Sequence, residues 1–232
     1  MEVVAQAADG EGPSALLIFG GEADPGQQLA RLALAAGFRV TVVCCRPALL
    51  ERATARGWHA VACDVTDREA VAQVFADCGA SRPAVVAILG GSLQVNAAGN
   101  IHVIEAALAA GAGRFILTTS IGCGDSAPAV DPLVRAIAGR ALRAKGWAEQ
   151  RLHQTALDWT IIRAGGLVRR PPTGTALLTA SSMAAGHITL ADLGEMLFLA
   201  LDSPRTIRCT LAAVDRRQAG NIDGSPLLPA EL

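Results

Sequence analysis

Three glycines near the start of the chain could hold a phosphate. Gly20, Gly21 and Gly26 follow the first apolar segment and precede a helical pattern. Backbone amides can approach an anion closely where glycine has no side chain, and the N-terminus of a helix adds partial positive charge. Asp24 and Pro25 suit the first turn of that helix. The arrangement predicts a site for the pyrophosphate of a dinucleotide.

Two residues of the same loop depart from the usual glycine fingerprint. Ala23 stands at the position of the middle glycine, and Glu22 precedes it. A methyl group at the tightest point of the loop would push the pyrophosphate outward. The Glu22 carboxylate would repel the pyrophosphate unless it points to solvent. The alternative is a purely structural turn between a strand and a helix.

Arg46 follows the second apolar segment and bears on the choice of dinucleotide. An acid near this position binds the ribose 2′-hydroxyl of NAD, whereas an arginine accommodates the 2′-phosphate of NADP. This chain has no acid there, which favours NADP(H) and makes NAD(H) the less favoured cofactor. Arg52, from the next helical pattern, is the alternative cation.

Lys145 interrupts an otherwise apolar helical face. That face consists of Ala141, Ala148, Leu152 and Ala156. A lysine on an apolar face needs a polar partner, and the ribose hydroxyls of a nucleotide are one candidate. The alternative is a side chain that extends past the apolar surface to water.

Small residues also end two later apolar segments. Leu89, Gly90 and Gly91 would leave room for the adenosine ribose, and Gly165 and Gly166 would let backbone approach the nicotinamide side of a cleft.

Apolar segments alternate with helical patterns along the chain. The apolar segments are 14–19, 38–44, 58–62, 84–89, 114–118, 159–163 and 207–212, and the helical patterns lie near 25–36, 47–55, 67–77, 94–111, 131–156 and 191–202. Unbroken apolar strands that alternate with helices are typical of a parallel sheet covered on both faces. The sequence therefore predicts a Rossmann-like, doubly wound parallel α/β sheet with a small C-terminal substrate region.

We expect a flexible leader over 1–13 and a single domain over 14–232. Residues 164–190 are rich in Gly, Pro, Thr and Ser. A long irregular stretch of this kind is either a functional flap or a plain surface loop, and we interpret it as a substrate flap.

Composition limits the possible partners. The 232 residues carry a formal net charge of −1 and are 51% hydrophobic and 3% aromatic, with no tyrosine. Near-neutral charge indicates neither nucleic acid nor anionic membrane as a partner. We expect a cytoplasmic protein with a small-molecule substrate, because the chain lacks a basic-then-apolar leader and an apolar run of about 18 residues. The scattered cysteines lack metal-ligand spacing, so no metal site is predicted.

Five segments carry a family pattern. They are IFGGEADPG, CDVTDREAV, AAGNIHVIEAALAAGAGRFILTTSIGCGDS, RAKGWAEQRLHQTALDWTIIRAGGL and ITLADLGEM. Together they resemble the atypical short-chain dehydrogenases/reductases, in particular the compact NAD(P)H-binding group with flavin and biliverdin reductases and NmrA-like sensors. The long central segment and DWTIIRAGGL are the most specific.

The resemblance implies roles for further residues. Asp64 and Val65 would border the adenine, and Ser120 would be the catalytic serine that polarises a substrate carbonyl. Ala164 replaces the proline that relatives usually carry there. The family's arginine usually comes one residue before Arg46, at the position of Cys45.

The catalytic tyrosine of such dehydrogenases is missing. Its position, four residues before Lys145, is occupied by Ala141. A proton would then come from water, from the substrate, or from His153 or His187. We therefore expect an NADP(H)-dependent reductase of a conjugated or aromatic acceptor, such as a flavin, which solvent can protonate. The alternatives are a non-catalytic NADP(H)-binding sensor and a protein that keeps the fold without binding a dinucleotide.

Overall fold

The computed structural model describes residues 14–45, 49–56 and 58–232. The predicted leader over 1–13 and Arg46 lie outside the described residues. The strands are β1 (Ala15–Phe19), β2 (Arg39–Cys44), β3 (His59–Ala62), β4 (Ala84–Ala87), β5 (Arg114–Ser120), β6 (Trp159–Ala164), β7 (Gly166–Val168), β8 (Ala176–Thr179), β9 (Ala184–Ala185), β10 (His187–Thr189), β11 (Cys209–Asp215) and β12 (Gly220–Asn221). The helices are α1 (Asp24–Ala35), α2 (Leu50–Thr54), α3 (Arg68–Cys78), α4 (Asn100–Ala109), α5 (Pro132–His153) and α6 (Leu190–Asp202).

Eight of these strands form one twisted sheet. Their order is β3-β2-β1-β4-β5-β6-β11-β8, and every neighbouring pair is parallel except β8 with β11. The strand order reverses direction between β1 and β4, as in doubly wound nucleotide-binding sheets. The predicted Rossmann-like fold is confirmed.

Apolar cores lie on both faces of this sheet. On one face α1 and α6 pack over β1 and β4 through residues such as Leu29 and Leu197, and on the other α3, α4 and α5 pack through residues such as Ile104 and Leu152. The strands are unbroken apolar runs because both of their faces are buried. The helices α1 and α6 approach closely, since a Cβ at Gly194 would lie 2.7 Å from the Pro25 carbonyl oxygen.

The stretch 164–190 is not the irregular loop that its composition predicts. It contains β7, β8, β9 and β10, and β8 is the edge strand of the main sheet. These strands are two to four residues long, too short to show a period among the surrounding Gly, Thr and Pro. Buried Asp192 anchors the stretch by accepting hydrogen bonds from the backbone N–H groups of Thr173 and Gly174.

The helix α5 is shorter than the pattern predicts. It ends at His153, so Ala156 lies beyond it and is exposed, whereas Ala148 and Leu152 are buried on the inward face. The reason is the turn that follows, where the Thr155 side chain donates to the Leu152 carbonyl oxygen at 2.8 Å.

Candidate functional site

A cleft of about 500 Å³ opens at the carboxyl ends of β1, β4 and β5. This is where ligands bind in open α/β sheets, because the reversal of strand order leaves a crevice there. The lining residues are Gly20, Glu22, Ala23, Pro25, Cys45, Ile88, Leu89, Gly90, Val95, Thr118, Thr119, Lys145, Ala164, Leu167, Leu190 and Leu193. The cleft thus gathers seven of the predicted site residues from four separate parts of the chain.

The three glycines of the first loop serve two different purposes. Gly20 has φ +78°, and a Cβ there would lie 2.5 Å from the Ile88 carbonyl oxygen at the cleft. A Cβ at Gly26 would lie 2.5 Å from the Gly21 Cα, so these two glycines let α1 pack onto the loop. The N-cap of α1 is Ala23, whose methyl group cannot accept a hydrogen bond from the first turn. A phosphate can accept those bonds instead.

The two acids of this loop lie in different surroundings. Glu22 is 9% exposed and lines the cleft, so it does not point to solvent. Asp24 is partly exposed, and its Oδ2 pairs with Arg169 Nη1 at 2.8 Å. Arg169 belongs to the segment after β7, so the predicted flap contacts the phosphate loop and offsets the charge of Asp24.

Lys145 extends from α5 into the cleft. Its Nζ donates to the Leu89 carbonyl oxygen at 2.9 Å. Burial lowers the pKa of Lys145, although Cys123 and Glu149 oppose that shift. Ala141 lies one turn earlier on α5 and is half-buried. The helix therefore brings an ammonium group to the cleft and a methyl group to the place of the family's tyrosine.

At the end of β5 the cleft wall is formed by threonines rather than by Ser120. Thr118 and Thr119 line the cleft, whereas Ser120 lies at the edge of the strand, half-buried and paired in register with Ala164. The Thr118 Oγ1 atom is buried and has no hydrogen-bond partner among the described residues. Sequence reasoning missed Thr118 because a threonine in a strand is unremarkable on its own.

The residues expected around adenine form their own local structure. Asp64 is exposed, and its Oδ1 accepts from the Thr66 hydroxyl at 2.7 Å and from the Thr66 N–H at 2.9 Å, which lowers the pKa of Asp64. Val65 is buried beneath Gly99, where a Cβ would lie 2.8 Å from a Val65 methyl carbon. Asp67 caps α3. Neither Asp64 nor Val65 lines the cleft itself.

The loop after β4 borders open space and is bonded by Asn96. Nothing lies within 4 Å of a Cβ built on Gly90 or on Gly91, so both face open space. The Asn96 Nδ2 atom donates to the Gly91 carbonyl oxygen at 3.3 Å from a π-helical turn (Val95–Gly99), a rare form that is frequent at functional sites. The sequence gives no signal for this turn.

On the far side of the cleft, Ala164 lines the wall, whereas the two glycines that follow it do not. A Cβ at Gly165 would lie 2.7 Å from the Gly186 carbonyl oxygen, and one at Gly166 would lie 2.6 Å from the His187 ring. Both glycines therefore allow β7 and β10 to approach each other. Neither His153 nor His187 lines the cleft in the part of the chain that the structure describes.

A second polar cluster lies around Glu149, one turn after Lys145 on α5. Buried Arg163 pairs with Glu149, from Nη2 to Oε2 at 2.8 Å, and with Asp125. Burial disfavours the Arg163 charge, but hydrogen bonds from the guanidinium to these two carboxylates outweigh it and raise the pKa of Arg163. The Thr119 hydroxyl donates to Glu149 Oε1 at 2.6 Å. This cluster borders a separate cavity of about 470 Å³.

The main cleft fits a dinucleotide. The crowded Gly20, the uncapped first turn of α1 and the ammonium of Lys145 suit phosphates and ribose hydroxyls.

No helix in the described ranges is long and apolar enough to cross a membrane. Over the same ranges, no group of three or more His, Cys, Asp or Glu side chains could hold a metal ion.

Comparison with known proteins agrees with this fit. A family model described as NAD(P)H-binding matches residues 20–204. The structure of ChuY, an anaerobillin reductase from Escherichia coli O157:H7, is similar with a TM-score of 0.78 and 28% identity, covering 88% of this chain and 97% of that one.

Two further proteins are similar over part of the chain or in fold. An uncharacterized sugar epimerase, YhfK of Bacillus subtilis (strain 168), is 32% identical over 119 residues, 50% of this chain and 51% of its own, so the chain matches about half the length of this curated relative. A wide-type short-chain dehydrogenase/reductase from Veillonella parvula DSM 2008, solved in complex with NADP, shares the fold with a TM-score of 0.67 and 13% identity, covering 88% of this chain and 95% of that one. Because the family match extends from the glycine loop past α6, and the switch-point cleft lies within it, the chain belongs to the NAD(P)H-binding family and to its atypical short-chain dehydrogenase/reductase-like group.

Proposed function

We propose that the protein is an NADPH-dependent oxidoreductase that reduces a conjugated or aromatic acceptor, such as a flavin. The observation that carries the proposal is the cleft in which Lys145 projects toward Leu89 while Ala141 occupies the tyrosine position. Membership of the NAD(P)H-binding family and the similarity to an anaerobillin reductase support reductase chemistry.

Each part of the dinucleotide has a set of candidate contacts. The pyrophosphate is assigned to Gly20, Gly21, Ala23, Asp24, Pro25 and Gly26; the adenosine to Asp64, Val65, Leu89, Gly90 and Gly91; the 2′-phosphate to Arg46; and the nicotinamide half to Ser120, Lys145, Ala164, Gly165 and Gly166. Bound NADPH supplies a hydride. Lys145 holds the ribose hydroxyls, and Ser120 orients the acceptor by a hydrogen bond.

The cleft wall also suits an acceptor that needs no enzymic proton. Leu167, Leu190 and Leu193 form an apolar surface that can contact a planar ring and exclude water. The ionisable side chains that line the cleft, within the described residues, are Glu22, Cys45 and Lys145. A conjugated acceptor delocalises the charge it receives and takes its proton from solvent, whereas a simple ketone requires a positioned acid.

Fluorescence titration with NADPH and NADH, followed by an acceptor screen, tests the proposal. NADPH oxidation should proceed with flavin and quinone acceptors and not with simple ketones. Ser120→Ala should slow turnover about tenfold to a thousandfold, since one orienting hydrogen bond is lost. Ala141→Tyr should add ketone reduction if the ring fits the half-buried site. Strong ketone reduction by the wild type would contradict the proposal that the acceptor takes its proton from solvent.

A non-catalytic NADPH sensor is the second candidate. The departures at Glu22, Ala23 and Ala141 favour it, because they affect both the phosphate loop and the proton donor. Firm NADPH binding without turnover of any acceptor would select this function over the reductase.

A further inference from the structure

The Thr118 hydroxyl is a polar group of the cleft wall that the described residues leave without a hydrogen-bond partner. Thr118 is 6% exposed, it lines the cleft, and its Oγ1 has no hydrogen-bond partner within the described ranges. A buried hydroxyl without a partner costs free energy, so native structures almost always supply one. A valine would fill the same space without that cost.

Two other buried threonines show how the fold ordinarily satisfies such a group. The neighbouring Thr119 donates to Glu149 Oε1 at 2.6 Å, and Thr160 on β6 donates to the Thr206 carbonyl oxygen at 2.6 Å. Both are at most 4% exposed, so they are about as buried as Thr118, but their hydroxyls are hydrogen-bonded. Thr119 lines the cleft as well, so what distinguishes Thr118 is the opposite face of β5 on which its side chain lies.

The side chains around Thr118 limit which ligand group could hydrogen-bond its hydroxyl. Successive strand residues point to opposite faces, so Thr118 faces away from the Glu149 cluster, toward the side of α6. There the cleft wall is apolar, with Leu190 and Leu193. A ligand group that satisfies the hydroxyl must bring its own donor or acceptor into this apolar part. One rotation about the Cα–Cβ bond exchanges the hydroxyl and the methyl group, so β5 need not move.

We propose that the Thr118 hydroxyl hydrogen-bonds the carboxamide of the nicotinamide ring. This inference rests on the proposed binding of NADPH in the cleft. The glycine loop at the opposite end is suited to phosphate, which leaves the end of β5 for the nicotinamide half, and a primary amide offers both a donor and an acceptor. Thr118 thereby fixes the rotation of the ring that carries the hydride.

Binding measurements on Thr118→Val and Thr118→Ser test the inference. Calorimetry should compare NADPH with 2′-phospho-ADP-ribose, and NADH with ADP-ribose, because the second ligand of each pair lacks the nicotinamide. Thr118→Val should weaken NADPH binding about threefold to tenfold and leave 2′-phospho-ADP-ribose binding unchanged, as expected for one hydrogen bond. Thr118→Ser keeps the hydroxyl and should bind both ligands like the wild type.

The stability of the ligand-free protein separates this role from a structural one. Thr118→Val should leave the unfolding midpoint unchanged or raise it, because the hydroxyl has no partner to lose. Thr160→Val is the matched control, which should lower the midpoint and leave both binding constants unchanged.

Equal weakening of both ligands, no weakening, or a lowered midpoint in Thr118→Val would each overturn the inference. NADPH binding without turnover would remove the reductase function and leave the inference standing. A wild type that binds neither dinucleotide would overturn both.

Discussion

Two neighbouring polar clusters, one in the cleft at Lys145 and the other around Arg163 and Glu149, differ in how completely their hydrogen bonds are formed. In the Arg163 cluster the guanidinium, Glu149 and Thr119 satisfy one another within the protein. In the cleft Lys145 bonds to a single backbone carbonyl oxygen, and the Thr118 hydroxyl has no partner among the described residues.

This difference indicates which cluster serves stability and which serves binding. A buried charge that is fully paired contributes to the fold only as long as every partner remains. Polar groups left incomplete at a cleft are costly for the folded protein and are retained where a ligand completes them. The following substitutions test this division, from the largest expected effect to the smallest.

Removal of Glu149 should have the largest effect on stability. Glu149→Ala leaves buried Arg163 without its main partner, which should lower the free energy of unfolding by about 3–5 kcal/mol. Chemical denaturation measures this loss. Glu149 does not line the main cleft and affects the Lys145 ammonium only through its charge, so the loss of NADPH affinity in the folded fraction should be smaller than the loss of stability. A large loss of NADPH affinity with little loss of stability would reverse the roles of the two clusters.

Removal of Lys145 should show the opposite pattern. Lys145→Met loses a charged hydrogen-bond donor to the ribose, so NADPH binding should weaken by about 1.5–3 kcal/mol. Stability should change little, because a desolvated charge is removed along with its single bond. Titration calorimetry and thermal unfolding measure the two quantities. Arg143→Met, on the exposed side of the same helix, is the matched control and should leave NADPH binding unchanged.

The lowered pKa of Lys145 adds a pH dependence to that prediction. Since burial favours the neutral amine, the ammonium should lose its proton at a lower pH than an ordinary lysine, which titrates near ~10.4. Wild-type NADPH affinity should therefore fall as pH rises through this pKa, and Lys145→Met should lack the corresponding step. Identical pH profiles for the two proteins would contradict a role of the Lys145 charge in binding.

Substitution of Arg46 tests the binding of the 2′-phosphate at the adenosine end of the cofactor. If it contacts the 2′-phosphate, Arg46→Ala should weaken NADPH binding by about 1–3 kcal/mol and spare NADH, the scale of a charge-assisted contact. Parallel titrations with both cofactors measure the difference. Arg52→Ala is the control that tests the alternative cation. Equal losses for NADPH and NADH would remove the basis for NADP specificity.

The ion pair between Arg169 and Asp24 should have the smallest effect on stability. Arg169 is 83% exposed, so Arg169→Ala should lower the free energy of unfolding by about 0.2–1 kcal/mol at most. It also leaves the Asp24 charge uncompensated beside the phosphate loop, and NADPH binding should weaken more in low salt than in high salt. Salt-independent binding would show that the pair does not affect the anion site.

Sequence patterns were most informative where a segment is long. The apolar segment 114–118 became β5, and the helical pattern near 25–36 became α1, because each has enough residues to show its period. Ala176–Thr179 falls within the stretch that the composition predicts to be an irregular flap, because four residues between Gly and Ser show no period and only pairing with β11 makes them a strand. Of the candidate site, the glycine loop and Lys145 could be located from the sequence, whereas Arg169 could not.

Three features of this protein follow from the amino-acid sequence alone: the alternation of strands and helices, the glycine loop at the first turn, and the alanine at position 141 in place of a tyrosine. These features depend on residue type and local spacing. The fold as a whole pairs Asp24 with Arg169 and buries Glu22 at the cleft. It also leaves the Thr118 hydroxyl without a partner among the described residues, whereas Thr119 bonds to Glu149. The reason is physical: a side chain's charge or hydroxyl is satisfied by groups distant in sequence, and folding alone brings them within hydrogen-bond distance.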